Sequence, residues 1–210
     1  MTTVWNTTQT ETFLNERYKF LFNSIRDRVE IFDEKTGKFI PVNERKLNSI
    51  VRELRHSGIN SNASILDGIL RSDFVQEYDP ILTYFNILPI WKDGDKDYIG
   101  ELASKVKTTT PALWELFFRK WIVASVACAT QQDVVNHSAL IINGKQGVGK
   151  TTFIKSLIPN ELKDYTYFGS IDPTNKDTTI QLSQCLFIVL DELVGLTKHN
   201  MSALKELIVV

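Results

Sequence analysis

The residues with the clearest chemical potential lie at 144–151, GKQGVGKT, where Gly144, Gly149, Lys150 and Thr151 fit the pattern G-x-x-x-x-G-K-[ST] and Gly147 adds a glycine inside the loop. Glycines let successive backbone N–H groups converge on one point, and a helix starting there aims its positive end at the same place, which makes a cradle for phosphate. The lysine sets a positive charge against the β- and γ-phosphates, and the threonine offers a hydroxyl to Mg²⁺. Gly144, Lys145, Gln146, Gly147, Val148, Gly149, Lys150, Thr151 and Thr152 are therefore the candidate nucleotide-binding residues.

A second feature follows at 185–193, CLFIVLDEL, where an apolar run of the kind found in buried parallel strands ends on Asp191 and Glu192. A carboxylate at the carboxyl end of such a strand can complete a Mg²⁺ shell, and its neighbour can orient and deprotonate a water. Thr151 and Asp191 are thus the candidate metal ligands, and Lys150, Asp191 and Glu192 the candidate catalytic residues. A carboxylate after a strand is also an ordinary helix cap, so the upstream loop is what favours the chemical reading. A kinase passing phosphate to a bound acceptor needs no water-activating base beside its magnesium ligand, whereas a nucleoside triphosphate hydrolase does. Hydrolysis is the expected reaction.

Other residues give less. The NKD at 175–177 lacks the aspartate at Thr178 that guanine recognition would require, and it precedes the acidic motif instead of following it. His56, His137 and His199 show no metal spacing, and Cys128 and Cys185 sit in apolar segments, which suits small core residues in a reducing compartment.

The elements that must position this chemistry can be read from periodicity. Phe13, Leu14, Tyr18, Leu21, Phe22 and Ile25 recur at helical spacing and predict a helix from Glu11 to about Ser24. RVEIFDEKTGKFIPV predicts a hairpin with Gly37 in its turn. A helix follows from an Asn43 cap to a stop at Gly58, then a second over roughly 62–77, and another begins at the proline of YDPILTYFNILPIW. KDGDKDYIG reads as a charged loop, Thr110 and Pro111 open a helix running to about Thr130 whose aromatic surface demands cover, and SALIING reads as the strand delivering the phosphate loop. The change of character over 93–107 predicts two domains, 1–105 and 106–210. The first helix pair also admits a winged-helix-like DNA-binding reading, with Arg45, Lys46, Arg52 and Arg55 on exposed faces, against the plainer reading of a packing domain with solvated charge.

Composition sets bounds. With 43% hydrophobic residues, 12 Phe and 4 Trp, the chain can bury a sizeable core, while 24 Lys plus Arg against 25 Asp plus Glu give no global attraction to nucleic acid or anionic membrane. The N-terminus has no basic start and apolar core of a signal peptide, and no apolar run approaches the roughly 20 residues of a membrane span, so a cytoplasmic protein without membrane contact is expected.

WIVASVACATQQ, ALIINGKQGVGKTTF, DPTNKD and LDELVGLTKHNMSALKELI resemble the virulence-associated protein E family over roughly residues 80–210. That family is similar to superfamily 3 helicases of AAA+ type, often linked to primases. The resemblance implies an α/β fold: a P-loop NTPase with an AAA+-like parallel sheet, preceded by a mainly helical domain with a β-hairpin. It also implies ATP and Mg²⁺ as cofactors, DNA as a partner, a homo-oligomeric ring and a primase partner. By position, Gly144, Gly149, Lys150 and Thr151 match its Walker A loop and Asp191 with Glu192 its Walker B pair, while Asp172, Asn175, Lys176 and Asp177 fall in a middle segment of unassigned role. Lys198 and Lys205 fit either a nucleic-acid or subunit face or a solvated helix face.

In that class a later strand bearing a sensor residue lies between the two motif strands, so the chain ending at Val210 is expected to hold an incomplete sheet and to be an inactive or weakly active part of a helicase-like motor of mobile-element DNA replication. An NTP-gated DNA-binding or initiation module without unwinding activity is the alternative, and a truncated relic is a third.

Overall fold

The computed structural model describes residues 6–170 and 176–190. The chain divides into two compact units, Met1–Pro80 and Ile81–Val210.

The first unit is a small mixed sheet carrying three helices. Helix α1 (Thr7–Arg17) starts on the Asn6 side chain, which accepts from Gln9 N. It stops at Arg17 instead of continuing to Ser24, because Tyr18, Phe20 and Phe22 also alternate with period two, and strand β1 (Phe20–Asn23) takes that pattern. Its backbone pairs with β2 (Arg28–Asp33) in antiparallel register, Phe20 opposite Ile31 and Asn23 opposite Arg28, and all three aromatic rings pack against the core. The expected hairpin forms between β2 and β3 (Lys38–Pro41), with Gly37 at φ 66°.

Helices α2 (Glu44–His56) and α3 (Ala63–Leu70) start where expected, Asn43 accepting from Lys46 N and Asn62 from Ile65 N. The second is shorter than the expected 62–77, since β4 (Glu77–Tyr78) pairs parallel to β1. Sheet order is β3-β2-β1-β4, wider than the hairpin expected. One face packs Val29 and Ile31 against Phe13, Leu14, Ile50, Leu54, Leu66 and Leu70. A buried polar cluster ties the last strand in: the Tyr78 hydroxyl donates to Glu30 Oε2 at 2.6 Å, and Asn23 Nδ2 and the Arg28 guanidinium donate to Glu30 Oε1.

The second unit is built around one long helix. After α4 (Pro80–Asn86) the segment expected as a loop contains α5 (Tyr98–Ser104), capped by Asp97, which accepts from Gly100 N. Asp97 also pairs with Arg119 of α6 (Pro111–Thr130), and the Trp114 indole donates to Ala103 O at 2.9 Å, so α5 is fastened to α6. Residues 97–104, which the sequence boundary assigned to the first domain, are therefore fastened to an element of the second unit.

Helix α7 (Lys150–Ser156) follows the phosphate loop, then a 3-10 helix (Asn160–Tyr165), β5 (Thr166–Phe168), α8 (Lys176–Ser183) and β6 (Phe187–Val189). Strands β5 and β6 pair in parallel, Thr166 opposite Phe187 and Phe168 opposite Val189. SALIING is not a strand: residues 134–145 carry no regular secondary structure, and Ile141 is exposed. A strand requires a ladder of partners, and among the described residues the sheet of this unit is β5 and β6 alone. The cover expected for α6 is also one-sided, since Phe118 is fully buried while Leu113, Leu116, Phe117 and Val123 face outward.

Candidate functional site

The phosphate loop takes its shape from two glycines in the left-handed region, Gly147 at φ 80° and Gly149 at φ 87°. A Cβ at either would meet nothing within 4 Å, so glycine is needed there for conformation and not for room. Gly149 is the residue from which α7 departs, without a side-chain cap, and Phe153 N to Gly149 O at 2.9 Å is the first turn of that helix. The N–H groups that open a helix have no acceptor within it, and here they follow directly on the glycine loop.

Lys150 gives the loop its internal tie. Its ammonium donates to Gly144 O and to Lys145 O, both at 2.9 Å, so the charge is drawn back across the loop toward its first residues. Residues 143–149 are exposed while Lys150 and Thr151 are half-buried, which leaves the concave side open to a solvent-borne ligand. The residues fit phosphate groups on these observations.

What holds the loop is aromatic. Phe153, on the first turn of α7, lies 5.9 Å from the Phe118 ring and 6.2 Å from Trp114, which stacks on Phe118 at 5.1 Å. One turn further along α6, Trp121 lies 6.1 Å from Phe187 of β6. Trp114, Phe118 and Trp121 thus sit on one face of α6 and grip both the helix that leaves the phosphate loop and the strand that leads to the acidic motif. Lys155 of α7 reaches over the Phe168 ring of β5 at 5.1 Å, a further tie. Sequence reasoning flagged the aromatic helix without assigning it this work; the i, i+4, i+7 spacing of the three rings was the available signal.

The structure brings together Gly144, Lys145, Gly149, Lys150 and the start of α7. Gln146, Val148 and Thr152 complete the loop and its first turn, all exposed. Asp191 and Glu192 lie outside the described residues, as do Asp172, Asn175, Lys198 and Lys205; β6 ends at Val189, two positions before Asp191. Among the described residues no group of three His, Cys, Asp or Glu side chains could hold a metal, so of the expected magnesium ligands only Thr151 is in view. Cys128 and Cys185 are half-buried rather than core residues. No helix of the described residues is long and apolar enough to cross a membrane.

Residues 90–209, more than half of the chain, match the family model of the virulence-associated protein E-like domain. The chain belongs to that family. Neither a curated protein nor a solved structure matches it. The virulence-associated protein E-like domain takes in everything from α5 to β6, including the phosphate loop and its aromatic bracket, and the whole β3-β2-β1-β4 sheet lies before it. Membership fits a protein associated with the replication of mobile elements.

Proposed function

We propose that this chain binds ATP through Gly144–Thr152 and belongs to an ATP-hydrolysing, helicase-like motor that works on DNA during mobile-element replication. The observation that carries the reading is the Lys150 ammonium held on the carbonyls of Gly144 and Lys145, between left-handed glycines and the opening turn of α7. A cation held on two backbone carbonyls of its own loop, and not on a carboxylate, is suited to a polyphosphate and has no evident use in packing.

The residues divide the work by their chemistry. Backbone N–H groups of the loop and of the first turn of α7 orient the phosphates, and Lys150 neutralises charge on the β- and γ-oxygens. Thr151 and Asp191 would hold Mg²⁺, which when bound offsets the negative charge that builds on the phosphates. Glu192 accepts a proton from the attacking water and aligns it. The α6 aromatic bracket ties α7 and β6 to one helix face, and the acidic motif follows β6 in the chain. The motor reading extends to a homo-oligomeric ring and a primase partner, on the strength of the family resemblance.

The test is the melting temperature of the chain with and without ATP and Mg²⁺. A ligand that binds only the folded state stabilises it by about 2.7 kcal/mol at a hundredfold excess over its dissociation constant, so the unmutated chain is expected to show a clear upward shift and Lys150→Ala none. An equal shift in both would sink the proposal.

A further inference from the structure

Among the described residues, a basic helix face lies in the first unit, outside the family's domain. Helix α2 buries Ile50, Val51 and Leu54. On its opposite side Arg45, Asn48, Ser49, Arg52 and His56 fall at i, i+3, i+4, i+7 and i+11, which places them within an arc of roughly 100°. Arg45, Asn48, Arg52 and His56 are exposed, and the half-buried Ser49 spends its hydroxyl on Arg45 O.

The carboxylates of α2 do not neutralise this face. Glu53 accepts from the Tyr18 hydroxyl at 2.6 Å on the flank, and Glu44 sits in the first turn, where the helix dipole favours it. Many cations elsewhere in the unit are engaged: Arg28 with Glu30, Arg71 with Asp67, Arg17 over the Phe13 ring, Lys46 over Tyr18 and Lys19 over Phe32. Arg55 donates to Ser61 O. Among the described residues, Arg45 and Arg52 have no such partner. Two unpaired arginines aligned on a helix otherwise well supplied with acceptors are arranged for an external polyanion.

We infer that the outward face of α2 docks on the phosphate backbone of duplex DNA. The step from Arg45 to Arg52, seven positions on, advances roughly 10 Å along the axis, comparable with the roughly 12 Å width of the major groove. The two guanidinium groups can therefore meet phosphates on either side of that groove, with the Asn48 amide between them facing the base edges. The helix involved is the first of the pair and not the second. Helix α3 carries no comparable face, as its end is occupied by the Arg71–Asp67 pair, so the winged-helix arrangement considered from sequence is replaced by a single-helix contact. The choice of DNA over RNA rests on the motor reading; the face itself does not.

Fluorescence anisotropy of the full 210-residue chain with labelled duplex DNA of roughly two helical turns, about 20 base pairs, tests the inference across a salt titration. Arg45→Gln with Arg52→Gln is expected to weaken binding at least about tenfold and to reduce the slope of log affinity against log salt by about two. Arg45→Lys with Arg52→Lys keeps the charge and is expected to keep the slope. Both pairs are exposed, so circular dichroism and melting temperature should match the unmutated chain.

Absence of duplex binding by the unmutated chain at low salt, an unchanged affinity and slope in the glutamine variant, or tighter binding of single-stranded RNA of equal length would each overturn the DNA surface. The ATP-induced melting shift is measured in the same samples. If that shift is missing throughout while the glutamine variant loses DNA as expected, the nucleotide reading fails and the α2 surface stands; a normal shift with unaltered DNA binding gives the reverse.

Discussion

Gly149 and Lys150 do different jobs in the loop, and substitution separates them. An L-residue in the left-handed region costs about 1–2 kcal/mol, so Gly149→Ala, which meets no clash, is expected to lower the stability of the second unit modestly and to abolish the ATP-induced melting shift because the loop no longer closes. Lys150→Ala should leave basal stability nearly unchanged and abolish the same shift. Glu192→Gln is expected to retain the shift and to abolish the weak phosphate release of the chain, measured as inorganic phosphate over time; turnover equal to that of the unmutated chain would remove the assigned base. In the first unit, burial and the adjoining Glu53 carboxylate push the Tyr18 phenol well above its ordinary value. The unfolded chain then ionises first, at about 10, so this contribution is whole below that pH and is lost as pH rises beyond it. Urea midpoints measured upward from neutral pH should fall for the unmutated chain, and Tyr18→Phe should remove part of that fall.

At the scale of elements, α6 is the part that both motifs depend on. Phe118 is fully buried against Trp114, Trp121 and Phe153, and Phe118→Ala is expected to cost about 3–5 kcal/mol by urea denaturation, with loss of nucleotide response although no loop residue has changed. The α5–α6 fastening is pH-dependent. The Arg119 guanidinium, with the Gly100 N–H, holds the Asp97 carboxyl below the usual carboxylate range. That group's contribution is therefore present above its unfolded value of about 3.9 and lost as pH falls through the lower folded one. Asp97→Asn keeps the cap and removes the charge, and should flatten the acid limb of the second unit's melting curve.

For the whole molecule, what could be read from the sequence was what is decided within a few residues. Asn43 and Asn62 cap their helices, Gly37 turns the hairpin, and Gly147 and Gly149 take positive φ because each choice is made by local backbone chemistry. The misreadings arise where distant pairing decides. Phe20-Leu21-Phe22 suits either period until β2 arrives to pair with it, and β4 and β5 are two and three residues long, too short for any pattern. The apolar SALIING has no strand partner among the described residues, so its β propensity has no ladder there to act on.

The two units also predict independence. Residues 1–80 contain their own core around Leu14, Ile50, Leu54 and Leu66, all fully buried. Expressed alone they should unfold in one cooperative transition by circular dichroism and give dispersed amide resonances; a non-cooperative melt would show that the unit borrows stability from the rest.

The parallel strand β4 bears on how the chain is made. Glu30 is buried early in the sequence, yet its phenol partner, Tyr78, comes 48 residues later. Asn23 and Arg28 reach one oxygen of that carboxylate from nearby in the chain, but a ribosome must have delivered nearly the whole first unit before the other gains its phenol, and β4 cannot join the sheet earlier. Contacts this far apart in sequence form late, so assembly of the unit during synthesis is expected to finish only after Tyr78 has emerged, later than the hairpin.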